Sequence, residues 1–145
     1  MNSVYIDTNV FLYISNETSS FCLESVELVK YLKKNNVLIL TSTETIQEII
    51  YVALKTKKLN YGLKTIEKVF GIIDELLSIN KKTISFYLDL VVKHQTIDSR
   101  DSLHAATCIE NKIPIIITYD HGFKKFKEIK ALTPKEFFKK NKFNL

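Results

Sequence analysis

The chain has 145 residues, of which 46% are hydrophobic, and it carries a formal net charge of +5. This composition is typical of one globular domain with a single core, and no apolar run approaches the roughly 18 residues that a membrane span requires. We therefore expect a single domain over residues 1–145 and no membrane segment. The first predicted strand begins almost at residue 1, which predicts that there is no signal peptide. Cys22 and Cys108 lack metal-ligand spacing, so we expect free thiols and a cytoplasmic location.

Short β-branched apolar runs alternate with helical patterns along the chain. Continuous runs, typical of parallel strands buried on both faces, occupy residues 4–6, 37–40 and 115–118, with weaker runs near 77–80 and 129–132. Apolar residues at helical spacing mark helices at 46–54, 63–77 and 86–94. Thr133 and Glu136 predict a further helix start with a capping box. This alternation predicts an α/β fold with a central parallel sheet flanked by helices.

Two consecutive helical patterns separate the second predicted strand from the weak third one. We expect these two helices to form a hairpin that projects from the sheet. The apolar stripe at residues 63–77 leaves two interpretations open, which are packing within the chain and a homodimer seam. Val69, Ile72 and Leu76 widen the stripe, and this favours packing within the chain.

Four acidic residues stand at the boundaries of the predicted elements. Asp7 and Asp120 follow apolar runs, whereas Glu48 and Asp101 lie near helix starts. Ligands of open α/β sheets bind at the carboxyl ends of the strands, so we expect these acids to converge there. Crowded carboxylates stay ionised together only if a cation compensates them, and oxygen ligands favour Mg²⁺ or Mn²⁺ over zinc. The pattern indicates a metal-dependent phosphodiester-cleaving enzyme, although a single Asp at such a boundary also suits a helix or turn cap.

Four motifs give the chain a family resemblance. They are YIDTNVFL at residues 5–12, TIQEIIY at 45–51, RDSLHAAT at 100–107 and ITYDHGF at 117–123. Together they cover nearly the whole chain and resemble the PIN domain, and within it the VapC-type toxin ribonucleases. The resemblance implies a PIN-like three-layer fold and endonucleolytic cleavage of RNA. It also implies Mg²⁺ or Mn²⁺ held by the catalytic residues Asp7, Glu48, Asp101 and Asp120.

For a toxin, the same resemblance implies a small antitoxin protein that binds over the acidic cleft. One position departs from the family pattern. Many relatives carry a further acid two residues after the fourth-motif Asp, and this chain has Gly122 there. The number of metal ions is therefore left open. The choice of Glu48 over Glu44 for the second motif follows the spacing that the family resemblance implies, because Glu48 lies farther past the second predicted strand.

Residues close to the acids are expected to support them. Thr8, Asn9 and Thr118 suit hydrogen bonds to the carboxylates or to water around the ion, although turn capping is an equal alternative for Asn9. His104 is expected to pack or to form structural hydrogen bonds. No serine, cysteine or histidine is arranged with a base as a nucleophile, so hydrolysis by an activated water is the simpler mechanism.

Lysine is concentrated towards the end of the chain. Residues 124–145 contain eight lysines against two glutamates, whereas the rest of the sequence is nearly neutral. We expect Lys124, Lys125 and Lys127, which follow Asp120 closely, to contact the RNA backbone without selecting its sequence. A solvated lysine-rich surface is the alternative.

Two other classes of protein are alternatives to the ribonuclease. A non-catalytic RNA-binding or assembly module on the same fold would be favoured by loss of Asp7 or Asp101. A receiver-like signalling domain pairs acids at its first strand, and Asp7 has no acidic neighbour in the sequence. The presence of all four acids favours the enzyme.

Overall fold

A parallel sheet of five strands organises the structure, which is a computed structural model that describes residues 2–142. The strands are β1 (Ser3–Ile6), β2 (Leu38–Ser42), β3 (Glu75–Leu77), β4 (Ile115–Ile117) and β5 (Lys130–Leu132). Their order is β3-β2-β1-β4-β5, and each neighbouring pair is parallel. The chain first winds to one side of β1 and later continues on its other side through β4. This reversal creates a topological switch point between β1 and β4.

Helices cover both faces of the sheet. They are α1 (Thr8–Ile14), α2 (Cys22–Lys34), α3 (Thr43–Lys55), α4 (Leu59–Ile72), α5 (Lys81–Lys93), α6 (Ser99–Glu110) and α7 (Pro134–Lys142), with a 3-10 helix at His121–Lys125. Because side chains of a strand alternate between faces, Val4 and Ile6 join one core with α1, α2 and α7, whereas Tyr5 joins a second core with α5 and α6. The predicted three-layer α/β fold is thus confirmed.

None of the helices within residues 2–142 combines the length and the hydrophobicity that a membrane span needs.

The predicted elements exist, but some of their boundaries differ from the prediction. β3 lies at Glu75–Leu77 rather than at 77–80, and the helix predicted to run through residue 77 ends at Ile72. Asp74 causes the early strand: its N–H donates to the Ile39 carbonyl, and its carboxylate accepts from the Ile39 N–H, both at 2.8 Å. Pairing with β2 therefore begins immediately after α4, and Leu77 belongs to β3 instead of the helix.

The start of α7 agrees with the sequence prediction. The Thr133 hydroxyl accepts from the Glu136 N–H at 3.2 Å, and the Glu136 carboxylate accepts from the Thr133 N–H at 2.9 Å. Pro134 is the first helical residue, where the missing N–H costs nothing.

Helices α3 and α4 form the predicted hairpin. They approach each other closely at Gly62, where a Cβ would lie 2.4 Å from the Cβ of Ala53. The expectation that the hairpin projects from the sheet is wrong, because Ile49 of α3 and Val69 of α4 are buried in the first core. Both helices therefore contribute to the layer that covers this face of the sheet.

The apolar stripe of the second hairpin helix is divided between the core and the surface. Ile66 and Ile73 pack against the core, whereas Leu63 and Phe70 are exposed. Packing within the chain explains the first pair, and a homodimer that uses the second pair stays a prediction.

Candidate active site

A cleft of about 250 Å³ opens at the switch point, and the four predicted acids line it together. Its remaining wall consists of Thr8, Asn9, Leu12, Val52, Asp98 and Arg100. Asp7 directly follows β1 and Asp120 follows β4, while Glu48 lies in the second turn of α3 and Asp101 in the first turn of α6. The topology thus brings four distant parts of the chain to one edge of the sheet. Glu44 does not line this cleft.

Asp7 is held in one orientation by three donors. Its Oδ1 accepts from the Thr8 N–H at 2.8 Å, and its Oδ2 accepts from Asn9 Nδ2 at 3.1 Å and from Thr118 Oγ1 at 2.8 Å. Burial raises the pKa of Asp7, while the charge of His104 and the Thr118 hydrogen bond act in the opposite direction. A carboxylate bound in this way has little freedom to rotate away from a ligand.

The three predicted supporting residues contact Asp7 in different ways. Asn9 and Thr118 use their side chains, whereas Thr8 uses its backbone N–H and places its hydroxyl 3.4 Å from that of Thr45. Thr118 Oγ1 also accepts from the Asp120 N–H at 3.0 Å. The Thr118 hydroxyl therefore connects the segments that carry two of the acids.

His104 is fully buried and connects Glu48 to β1. Its Nε2 lies 2.7 Å from Glu48 Oε1 and 3.6 Å from Asp7 Oδ1, and its Nδ1 lies 2.5 Å from the Tyr5 hydroxyl. Burial by itself lowers the pKa of His104, but the hydrogen bond to Glu48 and the charge of Asp7 raise it above its usual value. The predicted structural hydrogen bonding of His104 is confirmed, and its contact with two of the acids is the feature that the sequence did not reveal.

The protonation of His104 follows from its partners. Burial raises the pKa of Glu48, but the hydrogen bond and the charge of His104 lower it below its usual value, so Glu48 is a carboxylate that only accepts. His104 Nε2 must therefore carry a hydrogen whether the ring is neutral or charged. In the neutral ring, Nδ1 accepts from the Tyr5 hydroxyl.

Asp101 and Asp120 form a second acidic pair. Burial, together with the hydrogen bond and the charge of Asp120, raises the pKa of Asp101 to about 8. Asp120 Oδ1 accepts from the Gly122 N–H at 2.8 Å, and a Cβ at residue 122 would lie 3.0 Å from the same oxygen. Two carboxyl groups that interact as Asp101 and Asp120 do share a proton unless a cation compensates their charge.

The donor set of the cleft fits a hard cation. Ligand atoms of Asp7, Glu48 and His104 all lie within 4.8 Å of one another. Because His104 Nε2 carries a hydrogen, the atoms available to an ion in this group are carboxylate oxygens, to which Asp101 and Asp120 add theirs across the cleft. Oxygen donors of this kind bind Mg²⁺, Mn²⁺ or Ca²⁺ in preference to softer metals.

Arg100 lies in the cleft wall, and no function was predicted for it from the sequence. Its guanidinium carbon lies 5.7 Å from the centroid of the Tyr51 ring, and its Nε lies 3.5 Å from Asp98 Oδ1. It stands in the first turn of α6, where the helix dipole disfavours a positive charge. That unfavourable position was the signal that could have identified it.

The three lysines predicted to bind RNA do not line the cleft. All three are exposed, and Lys124 Nζ also lies 2.5 Å from Glu136 Oε1. Their contact with a substrate stays a prediction.

The fold and the acidic cleft together define an α/β domain with a site suited to a hard cation. The PIN domain family model matches residues 4–129, and the chain belongs to this family. A VapC ribonuclease of Mycobacterium bovis is 26% identical over 129 residues, which are 89% of this chain and 98% of that protein.

Solved structures show the same fold. The structure of VapBC2 from Rickettsia felis, bound to a DNA fragment from their promoter, matches with a TM-score of 0.76 and 20% identity over 90% of this chain and 98% of that one. A toxin–antitoxin complex from Klebsiella pneumoniae matches with a TM-score of 0.65 and 15% identity over 90% of this chain and 97% of that one. The family resemblance predicted from the four motifs is confirmed.

Proposed function

We propose that the protein is a metal-dependent endoribonuclease that hydrolyses RNA phosphodiester bonds and acts as the toxin of a toxin–antitoxin pair. The observation that carries the proposal is the crowding of four carboxylates in one cleft at the switch point, where the pKa of Asp101 reaches about 8. A relative that is named a ribonuclease and that spans 89% of this chain supports RNA as the substrate.

The four acids would hold Mg²⁺ or Mn²⁺, and they are Asp7, Glu48, Asp101 and Asp120. Such an ion, when bound, lowers the pKa of a coordinated water and stabilises negative charge on a phosphate. The residues around the acids fix their geometry, because Asn9 and Thr118 hold Asp7 while His104 holds Glu48. Carboxylates that are already oriented need little reorganisation when an ion binds.

The rest of the cleft wall is suited to the substrate. Arg100 presents a guanidinium, which matches the geometry of a phosphate and stays charged at any physiological pH. Leu12 and Val52 supply the apolar part of the cleft wall. Lys125 and Lys127, being exposed, remain our candidates for contacts with the RNA backbone outside the cleft, with Lys124 beside them.

An antitoxin is the proposed protein partner. The similar structures from Rickettsia felis and Klebsiella pneumoniae are a VapBC assembly and a toxin–antitoxin complex, and this supports a corresponding partner here. We place the activity in the cytoplasm, because Cys22 and Cys108 are both free thiols and a reducing compartment keeps them so.

A non-catalytic RNA-binding or assembly module on the same fold is the second candidate. Such a module needs a basic surface but has no need for four carboxylates in one cleft, whose mutual repulsion destabilises the protein. The four predicted acids, which line the cleft together with Asp98, therefore favour catalysis over simple binding.

The purified protein is expected to cleave RNA in Mg²⁺ or Mn²⁺ and to lose this activity in EDTA. The reason is that the carboxylates alone cannot activate a water at neutral pH, whereas a bound cation can. The measurement is the cleavage of an end-labelled RNA, resolved on a denaturing gel. Addition of excess Mg²⁺ to the EDTA sample should restore cleavage and serves as the control for inactivation. Cleavage that is indifferent to EDTA would contradict metal dependence, and intact RNA under every condition would favour the binding module.

A further inference from the structure

We propose that the RNA extends from the acidic cleft along a track of two cavities. The first is an aromatic pocket, formed around Tyr13, Phe21 and Tyr119, which stacks one unpaired base. The second is a lysine groove between α2 and α7, which holds the phosphates beyond that base. This inference rests on the proposed ribonuclease function and assigns a role to residues outside the cleft.

The aromatic pocket has a volume of about 270 Å³ and includes His121 and Lys135 in its wall. Its three aromatic rings contact one another, with centroid distances of 5.1 Å for Tyr13 and Phe21, 5.0 Å for Tyr13 and Tyr119, and 4.6 Å for Phe21 and Tyr119. Phe21 is 41% exposed. The pocket thus offers an accessible aromatic surface beside Lys135 and His121, with Glu24 also in its wall.

Polar contacts fix the pocket before any ligand binds. The Tyr119 hydroxyl lies 2.7 Å from Ser25 Oγ and donates to Glu24 Oε1 at 3.0 Å. With its hydroxyl satisfied and its ring against Tyr13 and Phe21, Tyr119 is a rigid support for the exposed Phe21 ring. A preformed aromatic surface stacks bases without choosing among them, because every base has a π-face.

The pocket adjoins the acidic cleft at two points. Tyr119 and His121 line the pocket and are the chain neighbours of Asp120, which lines the cleft. In α1, Leu12 lines the cleft and the next residue, Tyr13, lines the pocket. We therefore expect the neighbour of a nucleotide bound at the cleft to reach the pocket.

The lysine groove adjoins the aromatic pocket. It has a volume of about 560 Å³, and Glu24 and Lys135 line both cavities. Four lysines and two glutamates stand in its wall together with the rings of Tyr31 and Phe138, so the groove combines an excess of positive charge with apolar surface. Glu27 accepts from Lys30 at 3.0 Å.

Three lysines of the groove are available to a ligand. For Lys34, Lys135 and Lys139, no carboxylate of residues 2–142 lies within ion-pair distance. Phosphates are the groups that such unpaired ammonium ions bind, as point charges. An acidic peptide would satisfy the lysines equally well but has no base for the aromatic pocket, and the pocket beside the groove is why we assign the track to RNA.

The test measures RNA binding by the full chain in the Asp7→Asn background, so that the probe is not cleaved. The probe is a short fluorescein-labelled single-stranded RNA, titrated at several salt concentrations. Phe21→Leu keeps apolar volume but removes the stacking face. It should weaken binding roughly tenfold, since stacking of one base changes affinity by about 5- to 150-fold. Replacing Lys34, Lys135 and Lys139 with Gln should reduce the log–log salt slope by about 0.7 for each lost phosphate contact.

Matched controls come from exposed residues outside the track. Leu23→Ala removes an exposed apolar side chain next to the pocket, and Lys81→Gln with Lys82→Gln removes two exposed lysines of α5; both should leave binding unchanged. Thermal unfolding of each variant shows whether it is folded. Equal effects of track and control variants, or an effect of the lysines without one of Phe21, would overturn the track.

The outcomes also separate the track from the proposed function. If Asp7→Asn protein binds RNA and the track variants bind it unchanged, the track is wrong and the ribonuclease proposal stands. If the wild-type protein neither binds nor cleaves RNA, the proposed function fails and the track fails with it.

Discussion

Asp101→Asn is expected to lower the rate of RNA cleavage by roughly 100-fold or more while the protein stays folded. The substitution removes a metal-binding charge at nearly constant volume, and loss of several kcal/mol of charge stabilisation corresponds to this factor. The fold should tolerate it, because in the metal-free protein a carboxyl with a pKa of about 8 is largely protonated at neutral pH and Asn resembles that neutral form. Asp7→Asn and Asp120→Asn should have the same effect on cleavage. The measurement is single-turnover cleavage in Mg²⁺, beside circular dichroism of each variant.

A matched pair of glutamates on α3 controls this experiment. Glu48 lines the cleft and Glu44, one turn earlier, does not. Glu48→Gln should therefore impair cleavage, and Glu44→Gln should leave it near the wild-type rate. Unchanged activity in any two of the three Asp variants would show that the assigned site is not the catalytic one. A larger loss from Glu44→Gln than from Glu48→Gln would show that the second motif is misplaced.

His104→Ala is expected to reduce both the affinity for Mn²⁺ and the rate of cleavage by about 10–100-fold, the usual effect of losing a residue that orients a ligand. His104 is not a proposed metal ligand. It acts by positioning Glu48, whose Oε1 lies 2.7 Å from the His104 Nε2. Without that donor, the Glu48 carboxylate can rotate. Its ionised form is also less stable, because it is half-buried and no longer has the hydrogen bond and charge of His104.

Two further variants separate orientation from simple stability. His104→Gln offers an amide donor near the former Nε2 and should recover part of the Mn²⁺ affinity, whereas Tyr5→Phe removes the partner of Nδ1 and should lower it to a smaller extent. Mn²⁺ affinity is measured by calorimetry on samples shown to be folded at the temperature used. A purely structural role would lower the melting temperature of all three variants and leave the Mn²⁺ affinity of the folded protein unchanged.

The acids could be located from the sequence because each belongs to a local pattern. Asp7 and Asp120 follow runs that had to be strands, and a parallel sheet places the ends of its strands at one edge. Glu48 and Asp101 lie at helix starts, which point to the same edge. Pattern and topology thus predicted that acids would meet at this edge, whereas the choice of Glu48 over Glu44 came from the family resemblance.

The partner of His104 could not be predicted in the same way. Its ring contacts Glu48 and Tyr5, which are 56 and 99 residues away in the sequence, and only the packed layers bring them together. The sequence showed a histidine on a helix, and a buried structural role was the natural expectation. The ring is indeed buried and hydrogen-bonded, but the group that it holds in place is the carboxylate of Glu48, one of the four predicted acids.

Element boundaries were uncertain for a related reason. The apolar spacing of α4 continues to Leu77, although the helix ends at Ile72, because an apolar residue is equally suited to a helix face and to a buried strand. The choice is made by two hydrogen bonds between Asp74 and Ile39, one between their backbones and one from the Ile39 N–H to the Asp74 carboxylate. Such pairing depends on a strand that lies far away in the sequence, and no local pattern encodes it.

That the crowded carboxylates bind a divalent cation is tested most directly by unfolding the protein at increasing Mn²⁺ concentration. A ligand that binds only the folded state adds about 2.7 kcal/mol to the free energy of unfolding at a hundredfold excess over its Kd. The wild-type protein is predicted to gain this stability, and Asp101→Asn is predicted to gain much less under the same conditions. A free energy of unfolding that stays constant in wild-type protein up to millimolar Mn²⁺ would contradict the cation site.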